Sequence, residues 1–242
     1  MSTHSTDKNE VHHHESIAMP ETAYDGQVRV HNRHITNEPN PKTQPFDPIA
    51  NPAPLGLAAF ATSSLILGLI NAGVLVTFPT MAVGITLGYG AIGQLIAGLA
   101  EMRLGNTFGA TSFISYSCFF FSYGIMLQPA SGFLAGAAAG GAQNTEWAVG
   151  LFQLPWAIFS LLMFIGTLRQ PVVMRVILGQ VFLTFFFGML GGFLMNPVLT
   201  KVGGWFSVTL AITAWYGMAA MLYTPENTYF TLPIGIAHTK DE

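Results

Sequence analysis

Six stretches of about twenty mostly apolar residues, each long enough to cross a bilayer core as a helix, dominate the pattern of this chain. They run roughly over residues 54–76, 79–100, 107–127, 145–168, 171–195 and 202–223. Runs such as residues 65–70 lack the alternation of a barrel strand, which turns every second side chain to lipid. In lipid every backbone N–H and C=O must be paired within the protein, so helices are the predicted element. Short polar links at residues 104–106 and 169–170 predict antiparallel neighbours. Residues 128–144, rich in Gly and Ala, are predicted as a longer loop. The predicted fold class is an all-α integral membrane protein with six transmembrane helices in a compact bundle.

The polar positions gather at the ends. Residues 1–48 are rich in Pro, Asn, Thr, Ser and His and nearly empty of large apolar side chains, the composition of a disordered tail. Residues 49–226 form the predicted six-helix membrane domain, and residues 227–242 a short second tail. His12, His13 and His14 read as solvated tail histidines rather than a metal site. The tail has no apolar stretch behind a basic start, so it does not read as a signal peptide.

Composition sharpens this picture. The chain is 51% hydrophobic and 9% charged, against roughly 25% charged in soluble domains. From Pro48 to Pro225 the charged residues are Glu101, Arg103, Glu146, Arg169, Arg175 and Lys201. A net charge of −3 leaves no electrostatic footprint for nucleic acid. The single Cys118 permits no disulfide framework and is predicted to be a small buried hydrophobe. No cofactor or metal cluster is indicated. With the long tail inside, Lys42, Arg103, Arg169, Arg175 and Lys240 face the cytoplasm and Lys201 alone faces out. The positive-inside rule therefore places both termini in the cytoplasm.

Small residues recur four apart, as Gly84 and Gly88, and Gly188 and Gly192, and Gly90 stands four before Gln94. Such positions let membrane helices approach closely. The first span opens with Asn51 and Pro52, where Asn51 caps free N–H groups and the helix N-terminus offers donors to a carboxylate. In the third span Thr107, Thr111 and Ser115 form one row, and Ser112 and Tyr116 an adjacent one. These hydroxyls either bond their own helix backbone or line a polar path. Gln94, Gly98 and Glu101 share one face of the second span. Glu101 is read either as a structural partner of Arg103 and Arg169 or as a proton carrier, because an ionisable group in a membrane helix marks function by default. Gln94, Gln153 and Gln180 serve as helix-to-helix contacts or path residues. Glu146 is expected at the outer side. The spans contain no His and no Ser–His pair, which argues against an intramembrane enzyme.

The sequences from Asn51 to Leu57 and from Gly105 to Thr111 resemble the acetate uptake transporter family, which includes bacterial YaaH-type acetate–succinate transporters and fungal acetate permeases. The resemblance runs roughly over residues 51–235, and the long tail is similar to the fungal branch. It implies six spans per protomer, a homo-hexamer and a separate path through each protomer, in the plasma membrane. It implies acetate as substrate, with related monocarboxylates or succinate, moved by proton coupling or by channel-like passage. It also implies an apolar ring of Phe60, Tyr116 and Val181, with Leu183 the alternative third member; a carboxylate crossing such a ring needs the Tyr116 hydroxyl or a backbone donor. Two other functions fit the same architecture. One is an acetate-responsive sensor signalling through the tail. The other is ammonia export, against which stands the absence of any histidine within the spans.

Overall fold

A computed structural model describes residues 50–235. Lys42, the three tail histidines, His238 and Lys240 lie outside the described residues. Six membrane-capable helices follow in order, α1 (Ala53–Ala72), α2 (Pro79–Arg103), α3 (Thr107–Leu127), α4 (Phe133–Gly166), α5 (Val172–Phe193) and α6 (Pro197–Leu222). Among the described residues there is no strand. The chain is thus an all-helical, multi-pass integral membrane protein.

The helix starts follow from local chemistry. At α1 the Asn51 side chain accepts from the Ala53 N–H at 3.1 Å, and Pro52 and Pro54 flank the first residue. At α3 Asn106 Oδ1 accepts from the Gly109 N–H at 3.0 Å. At α6 Asn196 Oδ1 accepts from the Val198 N–H at 3.0 Å. Each side chain satisfies a donor that the helix cannot pair internally.

The most extensive helix pair is α1 with α6, followed by α4 with α5 and α5 with α6. Bare backbone makes these contacts possible. A Cβ at Gly68 would lie 2.8 Å from the Gly204 carbonyl oxygen, and one at Gly192 would lie 2.6 Å from the Glu146 carbonyl oxygen. Ser207 Oγ donates to the Ser64 carbonyl at 2.8 Å across the α1–α6 seam. Such close approach supplies the dispersion that joins helices where lipid removes the hydrophobic drive. By contrast α1 meets α3 chiefly through side chains, with Phe60 packed on Tyr116 and Phe120.

Three expectations change. The predicted loop at residues 128–144 is only a short turn, Pro129–Ser131, after which α4 begins at Phe133. Its Ala-rich stretch favours helix, and the break falls instead at Gly141, with φ 82° and ψ 168°. Thr145 Oγ1 bridges that break by donating to the Ala137 and Gly141 carbonyls at 3.0 and 3.1 Å. Cys118 is exposed on the outer face of α3 rather than buried, because its neighbours Ser117 and Phe119 take the inward positions. Gly84 and Gly88 meet open space, whereas Gly188 and Gly192 are tightly packed against α4.

Candidate functional site

Two cavities enter the bundle from opposite ends of α1. The proximal one, at the α1 N-terminus, encloses ≈ 200 Å³ and includes Ala53, Leu57, Gln94, Glu101, Asn106 and Ser112 in its walls. The distal one, at the α1 C-terminus, encloses ≈ 90 Å³ and includes Asn71, Glu146, Gln153, Thr184, Thr200 and Ser207. Both far exceed the roughly 10–15 Å³ that one water requires. Among the described residues Phe60 alone lines both.

The wall between them is aromatic. The Phe60 and Tyr116 ring centres are 5.3 Å apart, and those of Phe60 and Phe120 are 5.9 Å apart. Phe119 continues the cluster to Phe185 and Trp156. Val181 is buried beside this cluster and lines the distal cavity, while Leu183 lines neither. The Tyr116 hydroxyl donates to Ser160 Oγ at 3.0 Å, with Ser160 fully buried. The phenol hydrogen is therefore engaged by α4.

Among the polar residues of the proximal cavity wall, Asn106 comes from the Gly105–Thr111 motif. Gly105 adopts φ 78° and turns the chain between α2 and α3. Asn106 then caps α3 with its oxygen and donates with Nδ2 to Glu101 Oε2 at 2.7 Å. This fit requires glycine at position 109, where a Cβ would sit 2.5 Å from Asn106 Nδ2 and 3.2 Å from Glu101 Cδ. The motif is thus a clamp that holds a 4%-exposed carboxylate against the cavity.

Gln94 differs from the rest. It is 1% exposed and lines the proximal cavity, and neither its Nε2 nor its Oε1 has a hydrogen-bond partner among the described residues. A buried amide without partners costs about 1–3 kcal/mol. A carboxylate or a carboxylic acid in the cavity would supply what it lacks.

The hydroxyl rows of α3 separate. Ser112 and Tyr116 face the proximal cavity, Ser112 with its hydroxyl on the Phe108 carbonyl at 2.8 Å. Thr107 and Thr111 are exposed on the outer face, and Ser115 is half-buried, with none of the three in a cavity wall. The reason is rotation, since each residue turns about 100° around the axis. Asn51 is exposed and Pro52 buried, both at the α1 start and neither in a cavity wall. Glu146 stands at the distal cavity, at the end of α1 opposite Glu101. Sequence reasoning missed Ser160, Phe120, Phe185 and Thr184. No local signal marks them, because each acquires its place through a partner distant in the chain.

Residues 35–236 match the GPR1/FUN34/yaaH family. Acetate permease A of Emericella nidulans is 38% identical over 199 residues, covering 76% of this chain and 65% of that relative's length. The succinate-acetate/proton symporter SatP of Escherichia coli K12 is 32% identical, over 78% of this chain and 97% of that one. Ammonia transport outward protein 2 of Saccharomyces cerevisiae is 33% identical, over 82% and 72%. A solved structure of the bacterial acetate channel SatP superposes with a TM-score of 0.68 at 31% identity, over 78% of this chain and all of that one.

Proposed function

Since this chain belongs to the GPR1/FUN34/yaaH family, we propose that it carries acetate, and with it other small monocarboxylates or succinate, across a membrane through a path within each protomer. The observation that carries this reading is the pair of cavities meeting at Phe60, with the unpartnered Gln94 amide in the larger of them. Gln94 Nε2 donates to the carboxylate oxygen, and the methyl group passes between Phe60, Tyr116 and Val181. An apolar constriction of this kind gates by excluding water. Pro52 and Asn51 set the α1 N-terminus beside the mouth, where its partial positive charge favours an anion. Thr107 and Thr111 lie exposed on the outer face, with the half-buried Ser115 in the same row, and we assign the row to contacts outside the protomer.

Transport in this reading occurs in a homo-hexamer of the plasma membrane, with both termini cytoplasmic. A bare anion entering against an inside-negative potential loses about 2.3 kcal/mol per 100 mV. Co-transport of a proton removes that loss, and Glu101, clamped by Asn106 in the cavity wall, is the carrier we propose.

The test is uptake of labelled acetate into proteoliposomes of the purified protein, with and without an inward pH gradient, corrected for diffusion into empty liposomes. Uptake driven uphill by the gradient supports proton coupling through Glu101. Uptake that only equilibrates supports channel-like passage and removes Glu101 as carrier. Absence of protein-dependent uptake overturns transport and leaves the sensor, which loses its output when residues 1–45 are deleted. Ammonia export competes with acetate through the yeast relative. Its arm is methylammonium efflux from the same vesicles.

A further inference from the structure

The second span is not a plain α-helix. Within α2 the residues Thr86–Ala91 form a π turn, preceded by a short 3₁₀ turn at Pro79–Ala82. A π turn fits one extra residue into the helix, and such turns concentrate at functional positions. Its effect here can be read from burial. Ala82, Thr86, Gly90, Gln94 and Gly98 are spaced four apart, and all five are buried. In a straight α-helix a row of that spacing drifts by about 40° per step, or about 160° over its length. The extra residue takes up about 100° of that drift. The π turn therefore brings Gln94 to the inner face, together with Gly98 and Glu101 that follow it.

Neighbouring helices hold the turn in place. Hydroxyls of neighbouring helices donate to carbonyls at both ends of the turn, Ser63 of α1 to that of Ile85 at 3.4 Å. Ser117 of α3 donates its hydroxyl to the Ala91 carbonyl at 2.7 Å, the shorter of the two and a buried contact. Ala91 is the last residue of the π turn, and Gln94 stands three residues beyond it. The turn also docks flat against its neighbours, since a Cβ at Gly90 would meet Ser63 Oγ at 2.7 Å and Phe120 Cγ at 2.8 Å. Ser117 itself touches neither cavity.

We propose that Ser117 is a positioning residue, which locks the π turn of α2 and so aims the Gln94 amide into the proximal cavity. Without its hydroxyl the turn relaxes toward α-helical spacing, and Gln94 rotates out of the cavity wall. The consequence for acetate rests on the reading of Gln94 as the carboxylate donor; the orientation of Gln94 does not.

The experiment is therefore built in two arms. In full-length protein carrying Cys118→Ala and Gln94→Cys, the rate of labelling by a small water-soluble methanethiosulfonate reports access of position 94 to the cavity. Ser117→Ala lowers that rate by about fivefold, the worth of one buried hydrogen bond, while Ser117→Thr, which keeps the hydroxyl, retains it. A cysteine at Met174, on another wall of the same cavity, labels equally in both backgrounds and reports that the fold survives. An unchanged rate at position 94 in Ser117→Ala overturns the proposal. In the second arm, with Gln94 present, Ser117→Ala raises the KM for acetate about fivefold without lowering kcat, and adds nothing to Gln94→Leu. If Gln94→Leu leaves KM unchanged, the role of Gln94 in binding fails, and the labelling arm still decides the role of Ser117.

Discussion

Tyr116 and Ser160 are 44 residues apart in sequence, and their side chains share a buried hydrogen bond of 3.0 Å. The bond ties α3 to α4 and fixes the tyrosine ring against Phe60, 5.3 Å away. Its two ends are unequal. Removing the serine hydroxyl strands a phenol in an apolar cluster, whereas a serine that loses the phenol can turn to its own helix backbone. Ser160→Ala is expected to lower unfolding stability by about 1–3 kcal/mol, and Tyr116→Phe by about 1 kcal/mol or less. Thermal unfolding of the purified variants checks the order. Tyr116→Phe is also expected to weaken acetate flux, because its ring loses the anchor that orients it at the constriction.

Phe60 forms the wall common to both cavities, so its truncation should join them. Phe60→Ala is expected to admit butyrate at a rate approaching that of acetate, at a stability loss of about 3–5 kcal/mol if the site does not collapse. The ratio of butyrate to acetate uptake in proteoliposomes measures this. A ratio unchanged from the parent protein would remove Phe60 from the selectivity filter.

Gln94 should trade stability for function. Gln94→Leu replaces two buried, unpartnered polar atoms by apolar ones of similar volume, which removes a desolvation cost. We expect a thermal midpoint at or above that of the parent, with the KM for acetate raised about tenfold, which corresponds to about 1.4 kcal/mol of lost binding. Unchanged KM together with a raised midpoint would identify Gln94 as a structural residue only.

The clamp at Asn106 should respond at two positions. Gly109→Ala places a methyl group against Asn106 Nδ2 and displaces it from Glu101. Asn106→Ala removes both the α3 cap and the donor to Glu101, at a cost of about 1–2 kcal/mol for the cap. Both variants should show lowered stability and altered uptake in a pH gradient. Glu101→Gln should keep the clamp, lose uphill accumulation and retain equilibration.

Much of the architecture was legible from periodicity. Apolar runs of bilayer length located every span, and Asn51 marked a helix start because capping is local chemistry. Glycine-rich residues 128–144 misled because alanine favours helix where the backbone is packed, and only Gly141 breaks it. The spacing of hydroxyls on α3 showed two rows about 100° apart without showing which row faces in.

What the sequence determined by itself was the solvent of each segment, the number of helices and their capped ends, since these depend on residues within a few positions of one another. The tertiary structure decided which face of each helix meets a cavity, that Tyr116 bonds Ser160, and that Ser117 holds the π turn beside Gln94. Those relationships join residues far apart in the chain. In an apolar helix both faces carry similar side chains, so only the packing of neighbours breaks the tie.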